Sequence, residues 1–222
     1  MQYTLTKSLI IICLVFTNFS LSAQWGWGSG INGEGNRISK TLDIDEFTGI
    51  GLALPAEVHL MYGEKQKVEI KAQKNIIENI EKRVKNGYWN IKFEKNVRNM
   101  DPVDIFITLS EFDKLSIAGS GSIIGKDRFQ LDDLKVSIAG SGEIQLEGEA
   151  EDLNISIAGS GDVQLKALKA KACKVSIAGS GDCKINVEQD LTVKIAGSGD
   201  VKYKGNPSVK SSIAGSGDVS SF

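Results

Sequence analysis

The chain has 222 residues and a formal net charge of −2, with 26 basic and 28 acidic side chains interspersed along it. This pattern argues against a nucleic-acid partner and against an anionic membrane surface, because both need basic residues clustered on one face. Glycine is in excess, with 24 residues against 3 prolines, and its concentration in a set of repeats indicates a regular architecture and not disorder.

The N-terminus has the three parts of a secretory signal peptide, which we predict over residues 1–23. Lys7 precedes an apolar run over residues 9–16, and small residues follow at Ser22 and Ala23. The run is too short to stay as a membrane anchor, so cleavage and export are expected, with no transmembrane segment left afterwards. The expected location is the periplasm, the cell surface or the extracellular space.

Two further features complete the N-terminal prediction. Cys13 follows Ile12, whereas a lipidation signal requires a small residue before its cysteine, so no lipid anchor is expected. The sequence QWGWGSGINGEGNR over residues 24–37 predicts a flexible leader. A β-solenoid domain over residues 38–222 is predicted to follow it.

Residues 38–110 are predicted to form irregular coils that cap one end of a more regular array. Residues 50–60 overlay residues 155–165 without a gap, with Leu-Pro-Ala at residues 54–56 in place of Gly-Ser-Gly. This overlay predicts a diverged early coil. Further along, the apolar spacing over residues 76–84 predicts one short helix.

Residues 111–222 contain six copies of Ile-Ala-Gly-Ser-Gly at intervals of 18–21 residues. Alternating segments flank each Gly-Ser-Gly corner; before the third corner, Leu153, Ile155 and Ile157 alternate with polar residues. Period-two alternation with β-branched residues predicts half-buried strands. Such strands bury their apolar face only when they stack, so the sequence predicts an all-β fold, a single-chain parallel β-helix with one coil per repeat. The isoleucines before the corners are Ile117, Ile138, Ile157, Ile177, Ile195 and Ile213.

The opening ISKTLDIDEFTGIGLALPAEVHL, followed by repeated GSGD-type corners, resembles the auto-transporter adhesin head GIN domain family, a former domain of unknown function common in Bacteroidetes. The resemblance runs from Ile38 to the C-terminus. It implies a single-chain β-helix similar in outline to pectate lyases, and a role in adhesion. The family has no established catalytic residues, so the resemblance transfers none to this chain.

An acidic residue follows five of the six corners, and a parallel stack would place these acids in one column. The column is Glu143, Asp162, Asp182, Asp200 and Asp218. We favour a structural role, in which each carboxylate accepts hydrogen bonds from turn amides, over a calcium ladder or a pair of glycosidase carboxylates. A catalytic acid is normally singular, because its pKa must differ from that of its neighbours. We therefore predict no catalytic residue, no cofactor and no metal site, with the calcium ladder as the alternative.

Three other side chains could carry chemistry. Cys173 and Cys183 occupy positions where the other repeats carry aliphatic residues, which favours two buried thiols. A disulfide between them is the alternative, because the expected compartment is oxidising. His59 aligns with Gln164 in the overlay and is predicted to point outward into solvent.

The predicted function is non-enzymatic binding of a cell-surface ligand or an envelope polysaccharide, in adhesion or envelope organisation. Outward side chains such as Lys135, Asn154, Gln164 and Lys184 would present a repetitive surface on which an extended polymer contacts several coils at once. One alternative is a polysaccharide lyase or hydrolase, for which residues 101–104 are the segment to inspect. Another is a structural protein that forms homo-oligomers through the strand edge at the C-terminal end of the solenoid.

Overall fold

The computed structural model of the protein describes residues 30–222. The predicted signal peptide and residues 24–29 of the predicted leader lie outside the described residues. No helix within residues 30–222 is long and apolar enough to cross a bilayer.

The first half of the described chain consists of short elements. They are β1 (Ile31–Asn32), β2 (Arg37–Leu42), β3 (Gly49–Leu52), β4 (Glu57–Tyr62), β5 (Lys67–Gln73), α1 (Lys74–Glu78), β6 (Val84–Lys85), β7 (Tyr88–Ile91), β8 (Val97–Asn99) and β9 (Asp104–Leu109). The second half is regular and contains four long strands. Its elements are β10 (Lys114–Gly119), β11 (Ser122–Gly140), β12 (Glu143–Gly159), β13 (Asp162–Gly179), β14 (Cys183–Gly197), β15 (Val201–Lys204), β16 (Ser208–Gly215) and β17 (Val219–Ser221).

The regular half is a parallel β-solenoid, as the repeats predict. Each of β11 to β14 runs from one corner to the next and pairs in parallel with its neighbours. Equivalent repeat positions lie opposite one another, so that Ile138 faces Ile157 and Ile157 faces Ile177 across the sheet. The stack makes about five turns, which connect six successive corners. The all-β fold class is therefore confirmed.

The core runs along the inside of the stack, because alternate residues of every coil point inward. Leu153, Ile155 and Ile157 expose only 1%, 3% and 1% of their surface. Full burial of such a side chain contributes about 1.5–3 kcal/mol, and only neighbouring coils supply the cover. Each coil is therefore stable only as part of the stack.

The corners require glycine for two physical reasons. Gly159 has φ of +124°, a conformation that residues with a Cβ atom rarely adopt. A Cβ atom on Gly159 would also lie 2.5 Å from the carbonyl oxygen of Gly140 in the preceding coil. The second corner glycine, Gly161, is equally confined, since its Cβ atom would lie 2.5 Å from Cγ2 of Ile138.

The order of coils in space differs from their order in the chain. β3 pairs in parallel with both β10 and β7, and β4 pairs in parallel with both β11 and β9. The coil formed by β3 and β4 therefore lies between the regular array and a coil formed by β7 and β9. Ile50 faces Leu115 and Val58 faces Ile123, so the predicted early coil is present in the predicted register.

The helix differs from its prediction. The apolar spacing predicts residues 76–84, whereas α1 spans Lys74–Glu78 and Val84 lies in β6. Asn79 ends the helix, because its side chain bonds the backbone of Lys95: Nδ2 donates to the carbonyl oxygen at 2.8 Å, and Oδ1 accepts from the amide at 3.0 Å. These bonds turn the chain away before the apolar pattern ends.

Part of the predicted flexible leader belongs to the folded cap. β1 (Ile31–Asn32) pairs in parallel with β8. The side chain of Asn75 donates to the carbonyl oxygen of Asn32 at 2.7 Å and accepts from the amide of Glu34 at 3.1 Å. The prediction of a flexible leader is therefore wrong for residues 31–37. Its error arises because the partners of this segment lie far away in the sequence.

Candidate functional site

The acidic column forms a ladder of hydrogen bonds between coils. The amide of Asp182 donates to Oδ1 of Asp162 at 3.3 Å, that of Asp200 to Oδ1 of Asp182 at 3.0 Å, and that of Asp218 to Oδ1 of Asp200 at 2.9 Å. Glu143 faces Asp162 across the sheet, so it continues the column by backbone pairing. Among residues 30–222, no three His, Cys, Asp or Glu side chains form a group that could hold a metal ion.

His59 is more buried than the overlay predicts. It points outward from β4, but its ring stacks on Phe106 of β9 with 4.7 Å between the ring centroids. Only 12% of its side chain is exposed, and Nδ1 lies 3.4 Å from a carboxylate oxygen of Glu57. The prediction of a solvated histidine is wrong, because the aromatic neighbour comes from a coil that the overlay does not include.

Residues 101–104 are bound into the cap by the carboxylate of Asp104 and the backbone of Asp101. The carboxylate of Asp104 forms an ion pair with Arg37, whose guanidinium also donates to the carbonyl oxygen of Lys71 at 3.1 Å. The backbone amide of Asp101 donates to Oε1 of Gln73 at 3.0 Å. The contacts of this segment therefore join β2, β5 and β9.

Cys173 and Cys183 are free and buried. Burial raises the pKa of the Cys173 thiol to about 12. The pKa of the Cys183 thiol is also raised, first by burial and then by the nearby Cys173 and Asp182. Both thiols are therefore neutral at physiological pH, and they replace aliphatic residues in the core as the repeats predict.

One flat side of the solenoid carries two regular outward columns, and we call it the lysine face. It is formed by β10, by the second parts of β11 to β14 and by β16. The first column is Lys114, Lys135, Asn154, Lys174, Thr192 and Lys210. The second is Ser116, Ser137, Ser156, Ser176, Lys194 and Ser212.

The lysine face contains Lys135 and Asn154 of the predicted repetitive surface, whereas Gln164 and Lys184 face each other in another column. The basic cluster on this face was not predicted. Its five lysines come from five different coils, so they are dispersed along the chain and adjacent only after folding. In the described part of the chain, none of the five forms an ion pair with an acid. Lys114 instead lies over the ring of Tyr88, 4.8 Å from its centroid.

A shallow groove of about 580 Å³ follows the lysine face across four coils. The polar residues that line it are Lys135, Ser137, Asn154, Ser156, Lys174, Ser176, Thr192 and Lys194. Serine side chains are small, so they leave room between the longer lysines. The groove is therefore long, open and repetitive, with ammonium, hydroxyl and amide groups along its length.

The fold and this surface define a class: a parallel β-solenoid that presents repeated columns of side chains on a flat face. A family model described as "Putative auto-transporter adhesin, head GIN domain" matches residues 46–207. The chain belongs to this family, and the resemblance read from its corners is confirmed. Comparison with curated proteins finds no match.

Solved structures of similar fold include proteins from Bacteroides and Parabacteroides species. A "putative adhesin" from Bacteroides fragilis is 23% identical with a TM-score of 0.71, and the match covers 87% of this chain and 100% of that one. A "putative adhesin" from Parabacteroides merdae is 19% identical with a TM-score of 0.54, covering 88% and 100%. A "putative lipid binding protein" from Parabacteroides distasonis is 21% identical with a TM-score of 0.54, covering 87% and 100%. These likenesses support the fold alone.

Proposed function

We propose that the chain is an exported, non-enzymatic β-solenoid that binds an extracellular or envelope polysaccharide through its repeated surface. The observation that carries this proposal is the register of the outward columns, in which chemically similar groups recur on successive coils about 4.8 Å apart. An extended polymer meets such a surface at several points at once. Each contact is weak, but their sum gives avidity.

Export and adhesion are parts of the same proposal. The predicted signal peptide over residues 1–23 supports export to the periplasm or the cell surface. The family description and the solved relatives named as adhesins support a role in attachment. We further propose that the column of Asp162, Asp182 and Asp200 is structural, because each carboxylate accepts a hydrogen bond from the next coil.

The test is a glycan array and a cell-attachment assay with the full chain, purified after export. We expect retention on at least one polysaccharide class, with no new reducing ends or unsaturated sugars after incubation. Failure to bind any glycan or cell surface would contradict the proposal. Release of sugar fragments would contradict its non-enzymatic part, and binding to lipid vesicles alone would make a lipid the ligand.

A second candidate function is self-assembly through the last coil, and one observation favours it. Val209 and Ile213 are 38% and 41% exposed, whereas the equivalent Leu191 and Ile195 of the preceding coil are 0% and 3% exposed. Within the described residues, β16 pairs with β14 on one edge only. An apolar strand edge of this kind favours pairing with a second copy of the chain.

Sedimentation of the full chain over a range of concentrations tests this second candidate. We expect association in the parent chain and its loss in Ile213→Lys, whose charge would lie in the contact. Ser212→Lys is the matched control, because Ser212 lies in the outward column opposite Lys194 and should leave association intact. A parent chain that stays monomeric at high concentration would rule out self-assembly.

A further inference from the structure

We infer that the lysine face binds an anionic polysaccharide, a polymer with a carboxylate on successive sugars that lies along the stack and crosses the coils. This inference rests on the proposed function and deepens it. It assigns the binding to one face of the solenoid and gives the chemical class of the ligand. Three properties of the face carry it: its charge spacing, its acidic border and its hydrogen-bonding groups.

The charge spacing of the face fits a regular polyanion. Of six successive coils, five carry one lysine each on this face; they are Lys114, Lys135, Lys174, Lys194 and Lys210. Coils in a parallel sheet lie about 4.8 Å apart, so the ammonium groups recur at one or two such steps. A uronic acid polymer likewise carries one negative charge per sugar, at regular intervals along an extended chain.

An acidic border limits where the polymer can lie. Asp133, Asp152 and Asp190 each stand two residues before the first column. Asp133 faces Asp152 across the sheet, and Ala172 lies between Asp152 and Asp190 in the same row. None of them lines the groove. They repel an anionic chain from that side, so the chain is directed over the serine column and between the lysines. A neutral ligand would not be directed in this way.

The remaining groups of the groove match a sugar chain. Ser137, Ser156 and Ser176 can each donate and accept hydrogen bonds, and the amide of Asn154 can do both. These are the groups that sugar hydroxyls need, whereas an ammonium group recognises a carboxylate. The residues that line the groove include no aromatic ring, so nothing there stacks on a base as single-stranded nucleic acid requires.

The test compares two triple variants of the full chain against three probes. The groove variant is Lys135→Gln/Lys174→Gln/Lys194→Gln. The matched control is Lys166→Gln/Lys202→Gln/Lys204→Gln, which removes the same charge from exposed lysines elsewhere on the solenoid. The probes are polygalacturonate, neutral dextran and inorganic polyphosphate of comparable length. Thermal melts confirm that both variants are folded.

We expect polygalacturonate to bind the parent chain more tightly than either other probe, and binding to weaken as salt rises. The groove variant should lose about tenfold in affinity, since three exposed ion pairs contribute about twofold each. The control should lose less than about threefold. Equal losses in the two variants would overturn the assignment of the face. Equal binding of polyphosphate and polygalacturonate would overturn the assignment to a saccharide.

The failure of this inference is distinguishable from that of the proposed function. If the chain binds dextran or another neutral glycan and the groove variant binds equally well, the inference is wrong and the proposed function stands. If no glycan of any charge binds, both are wrong.

Discussion

Replacement of a corner glycine by alanine tests how the coils stack, and Gly159 and Gly119 form a matched pair. Their φ values are +124° and +120°, so alanine meets similar backbone strain at both, of about 1–3 kcal/mol. A Cβ atom on Gly119 would meet nothing within 4 Å. On Gly159 it would lie 2.5 Å from the carbonyl oxygen of Gly140. Comparison of the two variants therefore separates the effect of backbone strain on stability from the effect of the contact between coils.

The expected losses follow from this geometry. Relief of the contact at Gly159 requires the coils to separate, which weakens the 2.9 Å hydrogen bond from the amide of Ser160 to the carbonyl oxygen of Gly140. That loss adds about 1–2 kcal/mol. Gly159→Ala should therefore lower the free energy of unfolding by about 2–5 kcal/mol, and Gly119→Ala by about 1–3 kcal/mol.

Guanidinium chloride denaturation provides the measurement, followed by circular dichroism and by the change in tryptophan fluorescence as Trp89, which is fully buried in the cap, becomes exposed. Two probes are needed because a repeat structure can unfold in more than one step. The steric argument requires Gly159→Ala to be the more destabilising variant by at least about 1 kcal/mol. Equal losses, or a larger loss for Gly119→Ala, would refute it.

Three further predictions concern single residues. Asp200→Ala should lower the free energy of unfolding by about 1–2 kcal/mol, because it removes the acceptor for the amide of Asp218. Asp200→Asn keeps an oxygen at that place and should be near neutral in the same denaturation assay. Asn79→Ala should lower the free energy of unfolding by about 2 kcal/mol, because it removes two hydrogen bonds to the backbone of Lys95. A decrease below about 0.5 kcal/mol would show that these bonds do not stabilise the fold. Cys173 should resist a thiol reagent in the folded chain at pH 8 and react on unfolding. Because burial raises the pKa of its thiol from 9.0 in an exposed cysteine to about 12, the free energy of unfolding should fall as pH rises between those values. Fast labelling of the native chain would contradict the burial of the thiol.

The regular half of the fold could be predicted because each repeat carries its own corner. The glycines and the inward isoleucine fix the register of a coil, and a one-residue slip would turn its whole apolar set outward. The early coil at residues 50–60 was predictable for the same reason. It keeps the inward positions of Ile50 and Val58 although its corner lacks glycine.

The cap and the lysine face were not predictable from sequence pattern, because both depend on neighbours that folding supplies. Nothing near β3 in the sequence indicates that it lies between β7 and β10. The burial of His59 depends on Phe106 in β9. The lysines of the face lie in separate repeats, where each resembles an ordinary solvated side chain. Only their alignment on one face of the solenoid creates a basic surface.

The measurement that tests the central claim most directly is the affinity of the full chain for uronic acid oligomers of increasing length. If successive coils bind one polymer together, affinity should rise steeply with each added sugar until the oligomer spans the six coils of the lysine face, about 25 Å, and then level off. If the shortest oligomer with measurable affinity binds as tightly as the long polymer, a single pocket is responsible. The claim of a repetitive binding surface is then wrong.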